Sequence, residues 1–140
     1  MTDVRRLLDV ARDLLQRPDP ATAGIWPRAS GLLARQALEI ALDDYWRRHA
    51  PGLELCSMRA QLLCLPSYLH GDGADRLAER TAYAWIRLSR ACHQHVYELP
   101  PTAAELAAWI DTVDEFVASA SFRLTSRPQP GRAPQKPDRT

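Results

Sequence analysis

At 140 residues with 46% hydrophobic side chains, the chain is long enough to bury one core and too short for two domains of ordinary size. The net charge is +1, charges are spread through the first helical pattern, and no apolar run reaches the roughly eighteen residues of a membrane span. These features argue against a transmembrane protein and against a secretory leader, so a cytoplasmic location is expected.

Residues 3–16 place Val4, Leu7, Leu8, Ala11, Leu14 and Leu15 at spacings of three and four, which predicts an amphipathic helix ended by Pro18 and Pro20. From Pro27 to about His49 the apolar set, which includes Leu33, Ala37, Leu38, Ala41, Leu42, Tyr45 and Trp46 with Leu32 and Ile40, is wider than one stripe. That width predicts a central helix packed on two sides. A shorter helix over Ser57 to Leu65 carries Met58, Leu62, Leu63 and Leu65 and is expected to stop before Pro66. Gly71 to Gly73 reads as a turn. A fourth helix, Ala74 to about Val96, aligns Leu77, Thr81, Ala84, Leu88, Ala91 and His95 in one stripe with Trp85 and Cys92 beside it. After Pro100 and Pro101, Thr102 followed by Glu105 is a capping box that opens a fifth helix with Leu106, Trp109, Ile110, Val113, Phe116 and Val117 on its apolar face. Alternating strand patterns and internal repeats are absent, so the expected fold class is all-α, an up-and-down bundle of four main helices plus one short one, over residues 1–124. The remaining residues, 125–140, carry Arg127, Arg132, Lys136 and Arg139 against Asp138, together with four prolines. This composition predicts a disordered tail, either a solvated terminus or a cationic arm that prolongs contact with nucleic acid.

Several chemistries fail at the level of spacing. No Glu-x-x-His occurs, as a di-iron bundle would need, and no glycine-rich phosphate loop is present. On a continuous helix His93 and His95 point about 200° apart, so they do not chelate one metal as a pair; neither a metal nor a cofactor is expected. Cys56, Cys64 and Cys92 form no C-x-x-C pair and are expected to be buried free thiols. His49 and His70 fall at helix ends, where histidine caps or is solvated.

The segment Arg87 to Tyr97 is different. Arg87, Arg90, His93, His95 and Tyr97 gather phosphate-binding forks, acid–base groups and an aromatic phenol just before a proline turn. Two explanations compete: basic side chains complementing a helix C-terminus, with His95 continuing the core stripe, or a site that binds and cleaves RNA.

The Arg90-x4-His95 spacing with Tyr97, the Leu33-Ala34-Arg35-Gln36-Ala37-Leu38-Glu39 pattern and the capped last helix resemble the HEPN family over roughly residues 1–120. Many members place a polar residue, often asparagine, after the arginine; here it is Ala91. Arg87 with His93 fits the looser family spacing, so the register stays open between the two pairs. The resemblance implies a homodimeric, metal-independent endoribonuclease, a toxin or phage-defence component. In that scheme the ribose 2′-hydroxyl attacks the adjacent phosphate, His95 moves the proton and Arg90 stabilises the developing charge, with Arg87, His93 and Tyr97 binding RNA. It also implies a nucleotidyltransferase antitoxin that attaches AMP to Tyr97. An ideal helix would rotate His95 about 140° from Arg90, which a two-fold dimer would reconcile by pairing both residues across one cleft. The alternative is a non-catalytic module that binds RNA, a nucleotide or a protein through the same cleft.

Overall fold

The computed structural model describes residues 2–16, 20–21, 24–93 and 97–122; His95 and the tail from 125 to 140 lie outside the described residues. Five α-helices, α1 (Thr2–Gln16), α2 (Trp26–His49), α3 (Met58–Tyr68), α4 (Ala74–Cys92) and α5 (Ala103–Phe122), form an all-α bundle with one 3-10 turn, Leu53–Leu55. Among the described residues there is no strand, and no helix is long and apolar enough to cross a membrane.

α2 is the central helix. It packs against α1, α4 and α5 at once, and it can do so because Ala34, Ala37, Leu38, Ala41, Leu42, Tyr45 and Trp46 are all buried around its circumference. Two contacts fix the directions of its neighbours. The Arg28 side chain bonds the carbonyl of Cys92, and Arg35 lies over Trp85, so α4 runs antiparallel to α2. Tyr45 meets Phe116 edge-on at 5.7 Å, whereas Gly31 lies beside Leu106, so α5 runs parallel to α2. α1 buries Val4, Leu8 and Ala11 against this core, and its Arg12 bridges Asp111 and Asp114 of α5 at 2.9 and 3.1 Å.

Two helix ends differ from expectation. α3 does not stop before Pro66 but continues to Tyr68 with the proline inside it. An interior proline costs about 3 kcal/mol because it removes one backbone bond and crowds the preceding turn. Burying Leu65 and Leu69, at roughly 1.5–3 kcal/mol each, offsets that cost, and Tyr68 adds an edge contact to Trp46 at 5.0 Å.

α4 ends at Cys92 rather than near Val96. His93 is its C-cap, with its N–H turned back to the Arg90 carbonyl at 3.1 Å. Arg28 donates from Nε to the Cys92 carbonyl at 2.9 Å. A carbonyl at a helix C-terminus has no intrahelical partner, and the arginine supplies both the missing donor and a positive charge at the negative end of the helix.

The turn before α4 uses Gly71 and Gly73 at φ 109° and 75°, in the left-handed region that side chains other than glycine rarely adopt. The capping box of α5 is formed as expected: Glu105 N–H donates to Thr102 Oγ1 at 3.2 Å, and Thr102 N–H donates to Glu105 Oε2 at 2.9 Å.

Candidate functional site: a groove between α4 and α5

The antiparallel arrangement of α4 with α5 brings the last turns of α4, the connection through Pro100 and Pro101, and the first turns of α5 to one end of the bundle. Between them lies a groove of about 430 Å³ that includes Arg87, Arg90, Glu98, Leu99, Glu105 and Trp109 in its lining. Of the five residues singled out in the sequence, Arg87 and Arg90 are brought together here. His93 and Tyr97 are exposed and do not line the groove, and His95 lies outside the described residues.

Arg87 is the most informative side chain in the groove. Its guanidinium lies over the Trp109 ring at 5.3 Å and the Tyr83 ring at 5.9 Å, a cation–π arrangement that holds the group without consuming its N–H donors. The other partly buried arginines among the described residues are all paired with acids: Arg12 with Asp111 and Asp114, Arg35 with Glu39, and Arg48 with Asp44. Arg87 has no carboxylate partner among the described residues. A half-buried guanidinium resting on aromatic faces keeps its N–H donors available to an anion. Arg90, three residues on and exposed, likewise has no ion pair among the described residues.

Ala91 is explained by packing. It is buried beneath the groove, and a Cβ built on Gly31 of α2 would lie 3.1 Å from the Ala91 Cβ. α2 and α4 approach so closely that a side chain at position 31 has no room without separating the helices.

Behind the groove, Cys92 is buried beside Arg35 and Arg28. Burial pushes its thiol up from the ordinary value, and the two arginines oppose that only in part. All three cysteines are free, but the expectation that they are all buried holds only for Cys92: Cys64 is half-buried and Cys56 exposed. Cys56 follows the 3-10 turn, where no helical stripe carries it inward.

The about 140° separation inferred for Arg90 and His95 assumed a helix continuous through both, and it does not carry over to a helix that ends at Cys92. Tyr97 is 97% exposed, and its ring makes no aromatic contact among the described residues. Among the described residues no three His, Cys, Asp or Glu side chains gather closely enough to hold a metal ion.

Three features of the groove escaped the sequence reading. Tyr83 sits four residues before Arg87, a spacing that places both on one helix face and was legible. Trp109 was read only as core, and its clasp on Arg87 needs the tertiary fold. Glu105 was read only as a cap, although it also lines the groove.

Comparison of the chain with models of known protein families, with curated proteins and with solved structures found no match.

Proposed function

We propose that the chain is a HEPN-like RNA-acting protein of the cytoplasm, a metal-independent endoribonuclease working as a homodimer, in which Arg87 and Arg90 hold the phosphate backbone. The observation that carries this is Arg87: a partly buried guanidinium, clasped by two aromatic rings, whose donors are claimed by no acid among the described residues. Paired arginines spaced three apart along one groove wall suit successive phosphate oxygens, which planar guanidinium forks bind through two parallel bonds. In the proposed reaction a ribose 2′-hydroxyl loses its proton and attacks the neighbouring phosphate, the bond from phosphorus to the 5′-oxygen of the next nucleotide breaks, and the products are a 2′,3′-cyclic phosphate end and a 5′-hydroxyl end that takes up a proton. His95 transfers the proton and Arg90 stabilises the charge developing on the phosphate, a role whose loss costs about 10²- to 10³-fold in rate.

Support for an isologous dimer comes from Leu32, Ile40 and Ile86, apolar side chains about half exposed on α2 and α4. Support for control by a nucleotidyltransferase partner comes from the full exposure of Tyr97, which leaves its hydroxyl accessible to AMP transfer. Bulk and negative charge added there would oppose RNA phosphates at the neighbouring groove.

A second reading, non-catalytic binding of RNA, a nucleotide or a protein, draws on Glu98 and Glu105, which line the same groove and reduce its positive potential. Incubation with a structured RNA in EDTA separates the two. Wild-type protein is expected to cut, leaving cyclic phosphate ends, and Arg90→Ala and His95→Ala are expected to lose cutting while remaining folded by circular dichroism. Binding without cutting by any preparation selects the second reading.

A further inference from the structure

The two rings that hold Arg87 are not equivalent. Trp109 is 7% exposed, so its ring belongs to the core, whereas Tyr83 is 56% exposed. The Arg87 guanidinium lies over the Tyr83 ring at 5.9 Å and covers part of its π surface. The exposure leaves the rest of that ring to water or to a ligand. Tyr83 also stands just outside the groove lining, one turn along α4 from Arg87 in the direction away from Arg90.

Spacings of four and three put Tyr83, Arg87 and Arg90 on one face of α4, over a rise of about 10 Å along the helix axis. That rise suits roughly three nucleotides at the 3.4 Å separation of a stacked strand. Beyond Tyr83, the next arginine of this face is Arg80, whose charge is already met by Glu115 at 2.7 and 2.9 Å. The run of open cations therefore ends at the ring. Unpaired strands are held by such an arrangement, with phosphates on the cations and the face of a base on the aromatic side chain. We infer that Tyr83 is a base-stacking residue: an unpaired RNA strand with its phosphates on Arg87 and Arg90 leaves the groove over Tyr83 and rests one base on that ring. This rests on the RNA reading above. Every base has a π face, so Tyr83 adds affinity and fixes the strand's register without selecting a sequence.

Anisotropy titrations of the full chain test this with a fluorescent unpaired oligoribonucleotide of about four nucleotides, the low end of single-strand site sizes, and with the same strand lacking the base at each position in turn. In wild type, removal of one particular base is expected to weaken binding about 10-fold, within the loss that truncating a stacking aromatic commonly gives. Tyr83→Ala should lose about as much on the intact strand and nothing further on the strand lacking that base. Tyr83→Phe, which keeps the ring, should bind as wild type does. Indifference of Tyr83→Ala to the missing base is the readout, because a tyrosine that only props Arg87 would weaken intact and abasic strands alike. That equal weakening, an unchanged affinity in Tyr83→Ala, or a wild type indifferent to every base removal overturns the stacking role, and the RNA reading still stands where Arg87→Ala loses binding. Strands that bind equally to wild type and Arg87→Ala, or not at all, overturn both.

Discussion

Substituting Gly31 by alanine tests the closeness of α2 and α4 beneath the groove, and two opposing effects set its sign. In a helix interior glycine is worse than alanine by about 1 kcal/mol, so an unobstructed Gly31→Ala would stabilise the protein. Here the new Cβ would lie 3.1 Å from the Ala91 Cβ, with the Leu88 carbonyl at 3.8 Å and Leu106 Cδ2 at 3.9 Å in ordinary contact. The Ala91 methyl cannot rotate aside, because it is fixed directly to the backbone of α4. The helices must therefore part by a few tenths of an ångström, an overpacking that costs about 1–3 kcal/mol. The expected net result is a loss of about 1 kcal/mol, read as a lower urea midpoint at unchanged slope and a Tm lower by roughly 4 °C. In an Ala91→Gly background the same substitution meets no methyl and should be neutral or stabilising, giving a coupling of about 1–2 kcal/mol between the two sites. If Gly31→Ala stabilises the wild type and the Ala91→Gly variant equally, the close approach does not constrain this seam.

Two further outcomes follow from named side chains. Iodoacetamide at mildly alkaline pH should label the exposed Cys56 in the native protein and leave Cys92 unlabelled until denaturant is added, since burial both shields that thiol and raises its pKa; equal labelling rates by mass spectrometry would contradict the placement of Cys92. The Glu115 carboxyl is held below its ordinary value by its hydrogen bonds to Arg80, at 2.7 and 2.9 Å. A depressed folded-state pKa contributes stability above the unfolded-state value of about 4.3, and that contribution is lost as pH falls through the folded value. Glu115→Gln should therefore cost under about 1 kcal/mol near neutrality, because both partners are half exposed, and the difference from wild type should shrink in acid melts as pH falls below the unfolded-state value; a gap that stays unchanged as the carboxyl is protonated would refute the pairing.

The helical bundle was legible because its signals are local. The Val4, Leu8, Ala11 spacing, the broad apolar circumference of α2 and the Thr102 to Glu105 box each act within a few turns, and each is realised in the fold. What the sequence hid depends on residues far apart in the chain. α4 stops at Cys92 where Arg28, 64 positions earlier, takes the Cys92 carbonyl. Pro66 is tolerated inside α3 because Leu65 and Leu69 are buried and Tyr68 meets Trp46. In the site, Arg87 was legible as a basic residue on the helix before the proline turn, but its importance comes from Trp109, whose ring only the antiparallel packing of α4 and α5 brings over it. A charge pattern alone gives no preference between an arginine that is clasped and one that is solvated.

Salt-dependent binding tests the central claim, that this groove takes RNA through Arg87, most directly. A fluorescent unpaired oligoribonucleotide should be titrated with wild-type protein, Arg87→Ala and Arg59→Ala, the last removing an exposed arginine of α3 away from the groove lining. Arg87→Ala is expected to weaken binding about 10-fold or more and to lower the salt slope by about one phosphate contact, roughly 0.7 for single strands. Arg59→Ala should leave both unchanged. Equal affinity and equal slope for all three proteins would place RNA elsewhere, or nowhere, on this bundle.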